Sequence, residues 1–269
     1  MFSRPLFLLS LVCVAGVACG DDASSDSEAG STGPSSSTST DSGSSETSSS
    51  GGVAAVVVSG DAFSFALPGE PYGRIDGATV SVLEAPEVSA TADAQGHFEL
   101  EGLQPGTSAT FMLERDGFPA ARTKTFTLPE SGVLDRVTFQ VPDDTLFDLL
   151  AGILQLEVDE GACQIVSTIT RVGKSIYDEG AHGEAEATVT IEPSLPAEHG
   201  PVYFGADVIP DPELTESSED GGVLFMNVPP GTYTLRAHKE GVEFEAITME
   251  CAAGVLVNAS PPYGLQALE

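Results

Sequence analysis

Beyond residue 52 the apolar positions fall into short segments with a period of two. Val53 to Val58 is a continuous, mostly β-branched run, Ala78-Thr79-Val80-Ser81-Val82 alternates, and His97 to Leu100 alternates again after an Asp93-Ala94-Gln95-Gly96 turn. Further strands are predicted at Ser108–Glu114, Thr123–Leu128, Val133–Val141, Cys163–Arg171, Ala187–Ile191 and Thr232–His238. Gly, Pro and Asp separate them, so the pattern predicts an all-β chain built as antiparallel sandwiches. One segment departs from it. Asp143 or Asp144 can cap a short helix whose Leu146, Phe147, Leu149, Leu150, Ile153 and Leu154 form a broad apolar face. A face of that size predicts packing against one or both sandwiches, which would set their relative angle; the alternative is a partner-binding helix.

The segments occur in two sets. GHFELEGLQPGT, Gly96 to Thr107, and GGVLFMNVPPGT, Gly221 to Thr232, match without a gap: Phe98 answers Val223, Leu100 answers Phe225, and Leu103 answers Val228. Outside the phrase, Ala187–Ile191 answers Ala78–Val82, Glu240-Gly241 answers Asp116-Gly117, and Gly254-Val255-Leu256 answers Gly132-Val133-Leu134. Self-similarity in this order means two copies of one unit. In each phrase the first glycine permits a positive φ, and the following residues alternate inward and outward. After Gly231, the inward set is Tyr233, Leu235 and Ala237, unless the register slips by one. The copies diverge at Pro193–Asp220, longer than its counterpart by about sixteen residues. Loops on a rigid sandwich are where binding usually resides, so this insertion is the internal hint of specialisation, with Tyr203 and Phe204 as a candidate exposed binding patch; the other reading makes them ordinary strand residues.

Composition changes the picture at the N-terminus. Residues 1–18 carry Arg4, an apolar run from Pro5 to Val17, and small residues before Cys19, a secretory signal too short to span a bilayer as a stable helix. Gly16-Val17-Ala18-Cys19 resembles a bacterial lipoprotein lipobox, which implies a lipid on Cys19 and a membrane partner through it; Gly16 stands where a lipobox usually has an aliphatic residue. Ordinary cleavage after Ala18 is the other reading. Residues 19–52 are Ser, Thr, Gly, Asp and Glu with almost no apolar side chain, which predicts a disordered tether. As a coil of about 33 residues it would span roughly 30 Å on average and about 110 Å stretched.

The chain has 41 acidic against 10 basic residues, a net charge of −31. With no basic stripe to neutralise phosphates, nucleic acid is excluded as a partner, and anionic membrane surfaces are disfavoured. Once Cys13 and Cys19 are assigned to the signal and its cleavage site, Cys163 and Cys251 are the remaining pair. In an oxidising compartment they predict a disulfide. Two zinc-ligating thiols are the alternative, but neither has a cysteine or histidine nearby at ligand spacing.

With GATVSV and DAQGHFELEGLQPGT in one copy, and ATVTIEP and GGVLFMNVPPGTYTLRAHKEG in the other, the chain resembles the carboxypeptidase regulatory-like domain, a transthyretin-like seven-stranded β-sandwich. The resemblance covers nearly all of residues 53–262 as two tandem copies. It implies sandwiches at 53–142 and 163–269 joined by a helical linker at 143–162. The function it implies is that of non-catalytic modules found beside peptidases, in surface receptors and in secreted or lipid-anchored bacterial proteins.

Enzymes of similar fold carry signatures that this chain lacks. Hydroxyisourate hydrolases use paired histidines with an arginine and a Tyr-Arg-Gly-Ser tail, and intradiol dioxygenases hold iron with tyrosines and closely spaced histidines. Here His97, His182, His199 and His238 are scattered. His182, Glu184, Glu198 and His199 as metal ligands, or Glu216, Glu219 and Asp220 as a calcium loop, match no ligand spacing and read as solvated loop residues. No Gly-x-Ser-x-Gly elbow occurs in the folded region. The expectation is a cell-envelope lipoprotein of the outer membrane or cell surface, without cofactor, offering two modules to a protein or polysaccharide. A divergent enzyme and a pure spacer are the alternatives.

Overall fold

The computed structural model describes residues 55–67, 70–178, 182–260 and 262–269. The signal at 1–18, Cys19 and the tether at 19–52 lie outside the described residues.

Eight strands make the first sandwich: β1 (Val56–Ser64), β2 (Gly73–Arg74), β3 (Thr79–Val82), β4 (Ala85–Thr91), β5 (His97–Leu103), β6 (Ser108–Glu114), β7 (Ala121–Thr127) and β8 (Val133–Val141). One sheet centres on β1, which pairs antiparallel with β2 and β5 and parallel with β8. The other runs β4-β3-β6-β7, antiparallel throughout. Alternation decides what lies between them: in β5, Phe98, Leu100 and Leu103 are buried while His97, Glu99 and Glu101 face water. Phe98, Phe111, Phe139, Leu100 and Leu113 form the centre of the resulting core.

After β8 comes α1 (Asp144–Ile153), whose N-cap is Asp143; its carboxylate accepts from the Leu146 N–H at 2.8 Å. The second unit then repeats the first: β9 (Cys163–Thr170), β10 (Thr188–Glu192), a short 3-10 turn at Ala197–His199, β11 (Val202–Phe204), β12 (Pro210–Asp211), β13 (Gly222–Val228), β14 (Gly231–His238), β15 (Ile247–Cys251), β16 (Leu256–Asn258) and β17 (Leu265–Gln266). β9 pairs antiparallel with β13 and parallel with β16, as β1 does with β5 and β8. β10-β14-β15 repeats β3-β6-β7. Tyr233 and Leu235 point inward, as the alternation predicts.

The leading glycine of each repeated phrase has the same mechanical task. Gly96 sits at φ +75° and Gly221 at +78°, and a Cβ there would stand 2.4 Å from the Ala62 carbonyl oxygen and 2.3 Å from that of Ile169. Both glycines therefore permit the turn and the close approach of the neighbouring strand. The Cys163–Cys251 disulfide joins β9 to β15 and so staples the two sheets of the second sandwich; the first sandwich has no counterpart.

Two features depart from the expectation of separate tandem sandwiches. β16 pairs on one side with β9 and on the other, in parallel, with β7, through Leu256 opposite Ala121 and Val257 opposite Arg122. One sheet therefore runs through nine strands from β12 to β4 across both units, with β17 added as a tenth beside β9. Lys124 on β7 reinforces this seam by donating to the Tyr263 carbonyl at 2.8 Å, and Asn258 by donating to that of Gln140 at 2.8 Å. Relative orientation is thus set by backbone pairing. The helix is a lighter partner than its apolar face predicts: none of its residues is fully buried, and Leu149 and Ile153 remain 52% and 45% exposed.

Candidate functional site

The insertion builds an edge rather than a loose loop. β11 adds to β13 through Tyr203 opposite Val223, and β12 adds to β11. This corrects the expectation of an exposed Tyr203-Phe204 patch. Tyr203 is 2% exposed in the second core, its hydroxyl accepting from the Val189 N–H at 2.9 Å, and Phe204 is 8% exposed. All three residues of β11 are buried, because one face meets the core and the other is covered across the seam.

What covers Phe204 is the more informative feature. At the junction of the sandwiches lies a cavity of about 130 Å³. Its walls come from separate parts of the chain: Phe65 and Tyr72 from the first sandwich, Phe147, Leu150 and Leu154 from the helical segment, and Phe204 from the insertion. The half-exposed inner face of α1 is one wall of this space. Polar groups also reach it, and most are tied to one another. Gln164 exchanges two hydrogen bonds with Asn227, both at 2.9 Å. Asn258 uses its amide on Gln140 and its oxygen on the Ser260 N–H, and Thr168 bonds Ser260 at 3.0 Å.

Asp220, which closes the insertion, is different. Its Oδ2 accepts from the Gly222 N–H at 3.0 Å, and among the described residues no lysine or arginine forms an ion pair with it. Burial raises its pKa above the ordinary carboxylate value, the charge of Asp207 adds to the rise, and the Gly222 N–H and the neighbouring His182 oppose it. His182 lines the same cavity.

Of the other residues in the candidate ligand sets, Glu184 and His199 are engaged elsewhere. Glu184 forms an ion pair with Lys239, and His199 bonds the Met226 carbonyl at 2.9 Å. His238 bonds Thr190 at 2.8 Å, and His97 lies 3.5 Å from Asp61. Among the described residues no group of three or more His, Cys, Asp or Glu side chains is placed to hold a metal ion.

Beside the cavity mouth, the loop after β9 crosses to the first sandwich. The Tyr177 hydroxyl bonds Thr138 and donates to Asp61 at 3.1 Å, with its ring edge-on to Phe63 and the Arg136 guanidinium 5.4 Å from the ring centre. Partial burial, more than any neighbouring charge, pushes the Tyr177 pKa up to about 12. Phe63 and Phe65 each pack near Tyr72, so an aromatic row leads from this tie to the cavity. Nothing in the hydrophobic pattern marks Tyr177 as a contact between units.

No protein-family model matches the chain, and no curated protein does. Among solved structures it is similar to the Bacillus anthracis TIE protein, at 14% identity over 80% of this chain and 35% of that one, with a TM-score of 0.26. It is also similar to GBS52, the minor pilin of Streptococcus agalactiae, at 10% identity over 80% and 95% of the two chains and a TM-score of 0.25. The shaft pilin SpaA from Lactobacillus rhamnosus GG gives 11%, 80% and 96%, and again 0.25. The chain spans about a third of the length of the first of these. Superpositions this loose carry no argument about function, and the architecture rests on the strand pairing itself.

Proposed function

We propose that the chain is an exported cell-envelope protein of the outer membrane or cell surface, lipid-anchored at Cys19 and without catalysis of its own, that presents its two sandwiches to a protein or polysaccharide partner. The observation that carries this reading is the seam. Pairing of β16 with β7 makes the two sandwiches one body, so that they offer a partner a single fixed surface built from both. The Cys163–Cys251 disulfide accords with an oxidising compartment, and the acidic excess with solubility outside the cell. Against catalysis, the side chains of His97, His199 and His238 are each engaged locally and converge on no common point.

Metabolic labelling of the full-length protein with a fatty-acid analogue, followed by detergent phase partition, tests the anchor. Label on the parent chain, its loss in Cys19→Ala and transfer of that variant to the aqueous phase are expected. An unlabelled parent with a free Cys19 thiol would overturn the anchoring. Cross-linked capture from the native envelope tests the binding role: a stoichiometric protein or a polysaccharide supports it, and recovery of neither favours a spacer.

A further inference from the structure

We propose that the seam cavity is a binding site for an apolar organic cation, a molecule whose hydrophobic part is a small ring system of one or two fused rings or a short alkyl chain and whose polar end is an ammonium group. Size sets the first limit. At about 130 Å³ the space is near the ~150 Å³ of an apolar cavity that accepts benzene, so it admits a small ring system or a short chain but no folded segment.

Charge sets the second. Four aromatic rings, Phe65, Tyr72, Phe147 and Phe204, line the cavity, and the faces of such rings attract cations. The polar side chains are already engaged, Gln164 with Asn227, Asn258 with the Gln140 carbonyl and the Ser260 N–H, and Thr168 with the Ser260 hydroxyl, and do not call for a polar ligand. Asp220 remains, a half-buried carboxylate in an apolar setting with Asp207 nearby and only His182 as a neighbouring imidazole. An anionic ligand would meet two like charges. A neutral one would leave the Asp220 carboxylate desolvated without a counter-charge, which is costly. An ammonium supplies that counter-charge. The net charge of −31 also raises the local concentration of cations around the whole molecule. This assignment holds whether or not Cys19 carries a lipid.

The chain contains no tryptophan, so the fluorescence of an indole ligand is read without background from the protein. Tryptamine, neutral skatole and anionic indolepropionate share that ring and differ in charge. The full-length protein should bind tryptamine saturably, about tenfold or more tighter than skatole and tighter still than indolepropionate. Asp220→Asn, which keeps the shape of the side chain, should weaken tryptamine and tighten skatole, so that the two bind about equally. Ala151→Phe, which projects a ring into the cavity from α1, should weaken binding of all three. Circular dichroism and thermal midpoints confirm that each variant is folded. Absence of saturable tryptamine binding, equal binding of the three probes, or an Asp220→Asn variant that keeps its preference for tryptamine would each overturn the proposal.

Discussion

Removing the disulfide tests how the second sandwich is held. Cys163 and Cys251 lie 88 residues apart in sequence, and closing a loop of that length restricts the unfolded chain by about 4–5 kcal/mol in the chain-entropy model. Both cysteines are buried, at 0% and 4% exposure. Cys163→Ala with Cys251→Ala therefore also leaves two gaps, each about a methylene in size and each costing roughly 1 kcal/mol. The sum is a loss of about 6–7 kcal/mol. For a body of this size, with a guanidinium slope of about 4–6 kcal/mol per molar, the midpoint should fall by about 1–1.5 M. Equilibrium unfolding followed by circular dichroism and tyrosine fluorescence measures it. Because β16 belongs to one sheet with β7, the shift should appear in a single transition seen by both probes. Phe139→Ala, which empties a fully buried position of the first sandwich, should move that same transition by about 3–5 kcal/mol. Two separate transitions, each responding to one variant, would refute the shared sheet; a midpoint unmoved by loss of the disulfide would refute its stapling role.

Three further outcomes are expected. Asp220→Asn should raise stability at neutral pH: the native pKa of Asp220 lies above its unfolded value, so its contribution is fully present below pH 3.8 and lost as pH rises through the native pKa. The variant's advantage should therefore vanish in acid, as thermal midpoints across pH will show, with His182 and Asp207 the neighbouring titratable groups. For Tyr177 the native pKa of about 12 lies above the ordinary 10, so its contribution is present below pH 10 and lost as pH rises towards 12; denaturation in that window should show a slope that Tyr177→Phe reduces. Gly96→Ala and Gly221→Ala should each destabilise by several kcal/mol, since the added carbon would strike a carbonyl of the adjacent strand; a change under about 1 kcal/mol in either would contradict the equivalence of the two turns.

Much of the architecture was legible because side-chain alternation is written residue by residue. β6 and β8 fall at the residues the period-two pattern marks, and the repeated phrase pairs β5 with β13. The helix cap at Asp143 and the disulfide partners followed from local chemistry and from the count of cysteines. What the pattern could not show is which strand edges meet. Pairing of β7 with β16 is a backbone event between edges, and the four residues involved carry no motif for it. The site was only half visible for the same reason. The insertion does supply cavity residues, Phe204, Val208, Pro210 and Asp220, but its aromatic pair turned inward once β11 joined β13. Tyr177 and Tyr72 reach the seam from loops, where no periodicity constrains a side chain.

The claim on which the rest depends is that both sandwiches form one rigid body around the seam. Spin labels carried by unnatural side chains at Glu87 on β4 and Thr188 on β10, both exposed and in different units, measure it by their dipolar coupling. One narrow distance distribution, unchanged by dilute denaturant until the whole protein unfolds, is the predicted result. A broad or two-peaked distribution under native conditions would contradict it, and with it the cavity as a preformed site.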